Sequence, residues 1–319
     1  MKFGFSLCLV LCIARVASAA PIGFSVPGAG DTYVGGINNS GEVVGEYGNT
    51  PSGAKQGFVL SNGLFTNPIS FPGASSTNLI AVNDDGVIVG TYSTSNLLVE
   101  SGLLDNGGAF TTVNMPGATS TALTGINDSG QIVGNSSLGA FLLSGGVFTP
   151  ITVPGSAHTG ASEINNSGLI VGYYTLGGVM YGFVLSGGVY TTLDFPGADD
   201  TSALGINDLG QVVGQYSIGG IHHGFLFSGG VYTTLDFSGA DSTEALGIND
   251  LGQIVGEYQN AGVSAGFITT ATPEPSAGFL AMGGLGLIIT GLSRRKSVLG
   301  QNPAGSSLLR LQSFPLRRA

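Results

Sequence analysis

Three histidines, His158, His222 and His223, are the side chains of this sequence best suited to metal binding or proton transfer near neutral pH. Zinc coordination or general-base work would need further ligands, or an orienting partner, at a recognisable spacing. None accompanies the His222–His223 pair, which reads as part of an exposed Gly-rich loop. Acids recur in turns, as Asp84, Asp85, Asp128, Asp208 and Asp250. Hard cations such as calcium want several oxygens converging on one point, and acidic turns repeated around a ring could supply them. The same side chains cap tight turns with no metal. The D-x-[DN]-x-[DN]-G calcium pattern is absent, so turn chemistry is preferred and calcium is the alternative. Tyr47, Tyr92, Tyr174, Tyr216 and Tyr258 stand at equivalent places, with Ser136 at a sixth. They could form an aromatic ring that stacks on sugars, or pack between neighbouring units, since strands favour tyrosine; packing is preferred. No P-loop or dinucleotide fingerprint is present, and no Gly-x-Ser-x-Gly nucleophile motif is expected.

These residues are carried by a repeat. The stretch SGGVYTTLDFPGADDTSALGIN, Ser186 to Asn207, returns as SGGVYTTLDFSGADSTEALGIN, Ser228 to Asn249. A marker, [Ala/Gly]-[Ile/Val]-Asn-x-x-Gly-x-[Ile/Val]-Val-Gly, occurs at Gly36–Gly45, Ala81–Gly90, Gly125–Gly134, Gly205–Gly214 and Gly247–Gly256. A sixth copy, Glu163–Gly172, has Glu163 in the first position. The marker asparagines, Asn38, Asn83, Asn127, Asn165, Asn207 and Asn249, are spaced by 45, 44, 38, 42 and 42 residues.

Each unit reads as four short strands. In the fifth copy they are 203–206, 211–216, 224–227 and 231–237, and Asn207-Asp208-Leu209-Gly210 has the residues of a tight hairpin turn. Four strands at a period near 42 predict a β-propeller. The last unit stops after Gly266-Phe267-Ile268-Thr269, and the segment it lacks stands at the other end, as Gly23 to Thr32. The expected fold is therefore all-β: six four-stranded blades, with the N-terminal strand closing the ring so that no repeat edge is left open. Linear stacking is the alternative.

The ends differ from the body. Lys2, an apolar run over 3–13 and Ala17-Ser18-Ala19 read as a signal peptide over 1–19, with cleavage at Ala17 and Ala19. Both cysteines, Cys8 and Cys12, fall inside it, so the repeat domain, 20–271, has no thiol for a disulfide or a metal. Residues 276–293 carry no charge and are long enough for a single C-terminal transmembrane helix, with Arg294-Arg295-Lys296 as a positive-inside flank. The basic tail, 297–319, reads as having no fold. Between residues 21 and 272 there are 18 acids against one basic residue, Lys55. Such a body is repelled by phosphate backbones, which argues against nucleic acid as a partner.

Two resemblances follow. Pro273-Glu274-Pro275, the apolar span and Arg294-Arg295-Lys296, in that order, resemble a PEP-CTERM sorting signal over 272–296. The resemblance implies recognition by an exosortase at the inner membrane of an exopolysaccharide-producing Gram-negative bacterium. The chain departs from that pattern by continuing for 23 residues past the basic cluster. The body resembles the HAF-type extracellular repeats, through Gly224 to Phe227, Thr234 to Asp236 and Ile248 to Gly256, which implies a secreted or surface location and no established reaction. The expectation is a secreted, surface-sorted, non-enzymatic protein of the extracellular polysaccharide matrix. The alternatives are a propeller enzyme acting on glycans, as lyase or hydrolase, and a self-assembling structural protein.

Overall fold

The structure is a computed structural model that describes residues 21–50, 53–94 and 99–269. The signal-peptide positions Ala17 and Ala19, the sorting-signal positions Pro273, Glu274, Pro275, Arg294, Arg295 and Lys296, the expected helix over 276–293 and the tail lie outside the described residues. Among the described residues no helix is long and apolar enough to cross a membrane.

Among the described residues twenty-four strands form six antiparallel sheets of four. Each sheet is one blade, and blades one to six follow the chain. In blade five the strands are Asp200–Ile206, Val212–Ile218, Ile221–Ser228 and Val231–Leu235, from the axis outward. Blade six takes three strands from the end of the body and its fourth, Ile22–Phe24, from the beginning, paired antiparallel with Val263–Ile268. The ring is therefore closed by the first strand, as the complementary ends of the sequence predict.

Two strand limits of blade five differ from the sequence reading by three residues, and the others by at most two. The first strand begins three residues earlier than 203, because Asp200 to Ser202 continue the ladder with Ser217 to Gln215. The third strand begins at Ile221, so His222 and His223 lie on a strand and not in a loop. The reason is local. Gly219 and Gly220 both have positive φ, 60° and 81°, and make a two-residue hairpin turn up to which the ladder runs.

Two side-chain devices explain the repeat. The last marker glycine faces a phenylalanine of the third strand across the sheet, in pairs such as Gly45–Phe58, Gly172–Phe183 and Gly214–Phe225. A Cβ on Gly214 would collide with the carbonyl of Ser202 and lie 2.9 Å from the Phe225 ring. The ring occupies that gap. Phe58, Phe141, Phe183, Phe225 and Phe267 are at most 1% exposed, and Leu103 fills the place in blade two. Burying each ring is worth about 1.5–3 kcal/mol. Between blades, the buried hydroxyl of Thr201 accepts a hydrogen bond from the N–H of Phe195, six residues earlier, at 3.0 Å. Thr32, Thr77, Thr121, Thr159 and Thr243 do the same. This closes each Pro-Gly-Ala-type connection between successive blades.

Candidate functional site

The six first strands converge on the axis, and each carries a bulge just before its marker: between Ala203 and Gly205 in blade five, and between Ala161 and Glu163 in blade four. The convergence is tight. A Cβ on Gly205 would lie 3.0 Å from the Cα of Gly247, and one on Gly247 would lie 3.2 Å from that of Gly36. That crowding is why the first marker position is glycine or alanine in five copies.

Below this constriction two closed hydrogen-bonded rings run around the axis. In the inner one each marker asparagine donates from Nδ2 to the carbonyl of the next. The steps run from Asn38 to Asn83 at 3.1 Å, to Asn127 at 3.2 Å, to Asn165 at 3.1 Å, to Asn207 at 3.0 Å, to Asn249 at 3.0 Å and back to Asn38 at 3.0 Å. Each Oδ1 accepts from the backbone N–H four residues on, as Asn207 does from Gln211 at 3.0 Å. An aspartate could make the second bond and not the first, so the side chain must be an amide.

The outer ring uses the next residue of each turn. The backbone N–H groups of Asn39, Asp84, Asp128, Asn166, Asp208 and Asp250 each donate to Oδ1 of the following blade's residue, at 2.7–2.9 Å, the last returning to Asn39. Four members are carboxylates. The two amides stand three blades apart, and each bridges the carboxylates beside it: Asn39 to Asp84 and Asp250, Asn166 to Asp128 and Asp208. The aspartates singled out in the sequence thus cap the turn of the preceding blade; Asp85 is exposed and lies outside the ring. Among the described residues no three His, Cys, Asp or Glu side chains come together as a metal site.

Glu163 breaks the symmetry. Its carboxylate lies where a Cβ on Gly125 would be, and its Oε1 accepts from the N–H of Ile164 at 3.0 Å. It borders an axial cavity of about 70 Å³ shared with both rings. The residue is half-buried beside the cavity, and desolvation there holds its carboxyl up at about 8. The cavity is far smaller than the few hundred Å³ of a small-molecule pocket.

Nearer the opposite end, a second group of acids gathers where blade six meets blade one. Glu244 and Glu257 face each other across the ladder of blade six. Glu257 reaches into blade one, where its Oε1 accepts from the N–H of Val34 at 2.9 Å. Desolvation, with Glu244 as the next cause, pushes Glu257 up to about 8; desolvation likewise pushes Glu46 up to about 7 against the pull of Lys55, and raises Glu100 and Glu244. Lys55 sits 4.2 Å over the Tyr33 ring. His222 donates from Nδ1 to Gln215 at 2.7 Å and lies 3.8 Å from Glu244, while His223 pairs with Asp236 at 3.0 Å. The two histidines point at different acids and share no ligand. His158 stands apart in blade four, beside Tyr173.

Tyr92, Tyr174, Tyr216 and Tyr258 pack between blades, while Tyr47 belongs to none of the apolar clusters. Tyr92, Tyr216 and Tyr258 stack face to face on Phe71, Phe195 and Phe237, with centroids 3.6–3.8 Å apart. The hydroxyls of Tyr92, Tyr174 and Tyr216 pair with a threonine of the fourth strand at 2.8 Å, and Tyr47 donates to Gln56. Gly262–Gly266 spells Gly-x-Ser-x-Gly, against the expectation that no such serine motif is present. It runs through the turn and strand Val263–Ile268, not a strand-to-helix elbow, and Ser264 is buried against Asp31 and Tyr33.

No family model and no curated protein matches the chain. Among solved structures it is similar to TolB from Acinetobacter baumannii, at 13% identity and a TM-score of 0.50 over 76% of this chain and 64% of that one. It is also similar to a virginiamycin B lyase from Staphylococcus aureus, at 13% identity and a TM-score of 0.48 over 78% and 99%. A Trypanosoma rangeli sialidase aligns at 9% identity and a TM-score of 0.47 over 86% and 60%. At such identities the likeness concerns the propeller fold alone.

Proposed function

We propose that the chain is a secreted, non-enzymatic propeller, sorted to the bacterial surface and associated there with the extracellular polysaccharide matrix. The observation that carries this reading is the order of signals along the sequence: a cleavable leader ending at Ala17-Ser18-Ala19, an acidic repeat body, then Pro273-Glu274-Pro275, the uncharged span and Arg294-Arg295-Lys296. In this account a helix over 276–293 holds the chain in the inner membrane until an exosortase processes it. The use made of the polar side chains supports the non-enzymatic part. The marker asparagines and the turn carboxylates are engaged in closing the ring, and the axial cavity is small.

The test is co-sedimentation of the purified protein with the exopolysaccharide of its own bacterium, with released chain ends measured in parallel. The expected result is retention on the polymer with no release. Release that disappears in His222→Ala would replace this reading with a glycan-cleaving propeller. Light scattering that rises with protein concentration, in the absence of polymer, would favour self-assembly.

A further inference from the structure

The six junctions between blades are built alike in backbone and differently in chemistry. In blade three, Asn135 follows the last marker glycine and reaches the first strand of blade four. There it accepts from the N–H of Ala161 at 3.0 Å and donates to the carbonyl of the same residue at 2.8 Å. Glu257 holds the corresponding place in blade six, and Val34 corresponds to Ala161, since each pairs with the last marker glycine of its own blade. Glu257 makes the accepting bond to Val34. A carboxylate has nothing to donate; a carboxylic acid has the same donor and acceptor pair as the Asn135 amide.

We propose that the junction of the last and first blades is a proton-operated latch, which is tight while the Glu257 carboxyl holds a proton and loosens when that proton is lost. The junction is the one that must be made between distant parts of the chain. Its apolar cluster has four buried members, Val34, Ile37, Val43 and Val255, against nine between blades three and four. The groups facing Glu257 are mostly acidic or acid-forming: Glu244 on its own sheet, Tyr33 on the first strand of blade one and Glu46 on the second, with Lys55 as the cation; beyond them Asp31 faces Tyr33, Glu100 faces Glu46 and His222 faces Glu244. A charge gained at Glu257 therefore adds to like charges in a desolvated place. The first strand of the chain is held by the same blade, so loosening there frees the edge of Val263–Ile268.

The experiment is hydrogen exchange of the full chain, followed by peptide and corrected for the intrinsic pH dependence, between about pH 5.5 and about pH 8.5. Peptides covering Ile22–Phe24 and Val263–Ile268 should lose protection by about tenfold or more relative to those of blade five, the size of one unit of proton linkage. Glu257→Gln, which carries the donor at every pH, should abolish that difference. Glu163→Gln should leave it in place, because that carboxyl lies at another junction. If Glu257→Gln does not fold, Asn135→Glu supplies the converse: it should make the junction of blades three and four more pH-sensitive than Glu163 alone makes it. Protection that falls equally in all blades, a Glu257→Gln chain that keeps the native response, or an Asn135→Glu chain that gains none would overturn the latch.

Discussion

Asn207 holds its turn and the neighbouring blade at once. Its Oδ1 accepts from Gln211, while its Nδ2 donates to the side chain of Gln211 and to the carbonyl of Asn249. Asn207→Asp would strip a buried carbonyl of its donor and bury a charge beside it. The expected cost is about 1–3 kcal/mol. At roughly 2–4 °C per kcal/mol for a domain of this size, thermal unfolding would show it as a lower Tm, and an unchanged Tm would mean that the ring carries no load. Glu163 acts through its charge state. Its folded value near 8 lies above the ordinary value of 4.5, so its native form keeps a proton that the unfolded chain has already lost. The associated stability is fully present below about pH 4.5 and declines as pH rises through about 8, with a slope approaching 1.4 kcal/mol per pH unit. Glu163→Gln should flatten the decline measured by urea unfolding across that range, and a slope equal to the native one would contradict the assignment.

At the scale of elements, the first strand stands in for a whole missing segment of the last repeat. A chain lacking Ile22–Phe24 would leave Val263–Ile268 as an open edge and lose the packing of Phe24 against Val34 and Gly266. Such edges pair with other chains, so the shortened protein should associate on light scattering at concentrations where the intact one does not. Much of this architecture was legible beforehand because it is written in local chemistry. The Asn-x-x-Gly turns, the alternation in Val231–Leu235 and the complementary ends each need only a few residues to be read. The ring bonds were not legible, because Asn207 and Asn249 are 42 residues apart and only the bulged, converging first strands bring them together. Glu163 was visible as an irregular letter in the marker, but its place against Gly125 was not. Nothing in the sequence singles out Glu46 or Glu257, and the histidine pair reads as loop residues until the Gly219-Gly220 turn brings the ladder up to them.

At the scale of the whole molecule, the ring spends its most regular polar residues on holding six similar blades together, and it carries 18 acids against one lysine between residues 21 and 272. Under the proposed function, delivery of this body depends on the segment that follows the last blade. The measurement that tests this most directly is mass spectrometry of the C-terminus of the mature protein recovered from its own bacterium. The account predicts a terminus close to Pro275, with the span and the basic tail removed and the protein in the matrix fraction. An intact chain reaching Ala319, recovered with the membrane, would contradict it.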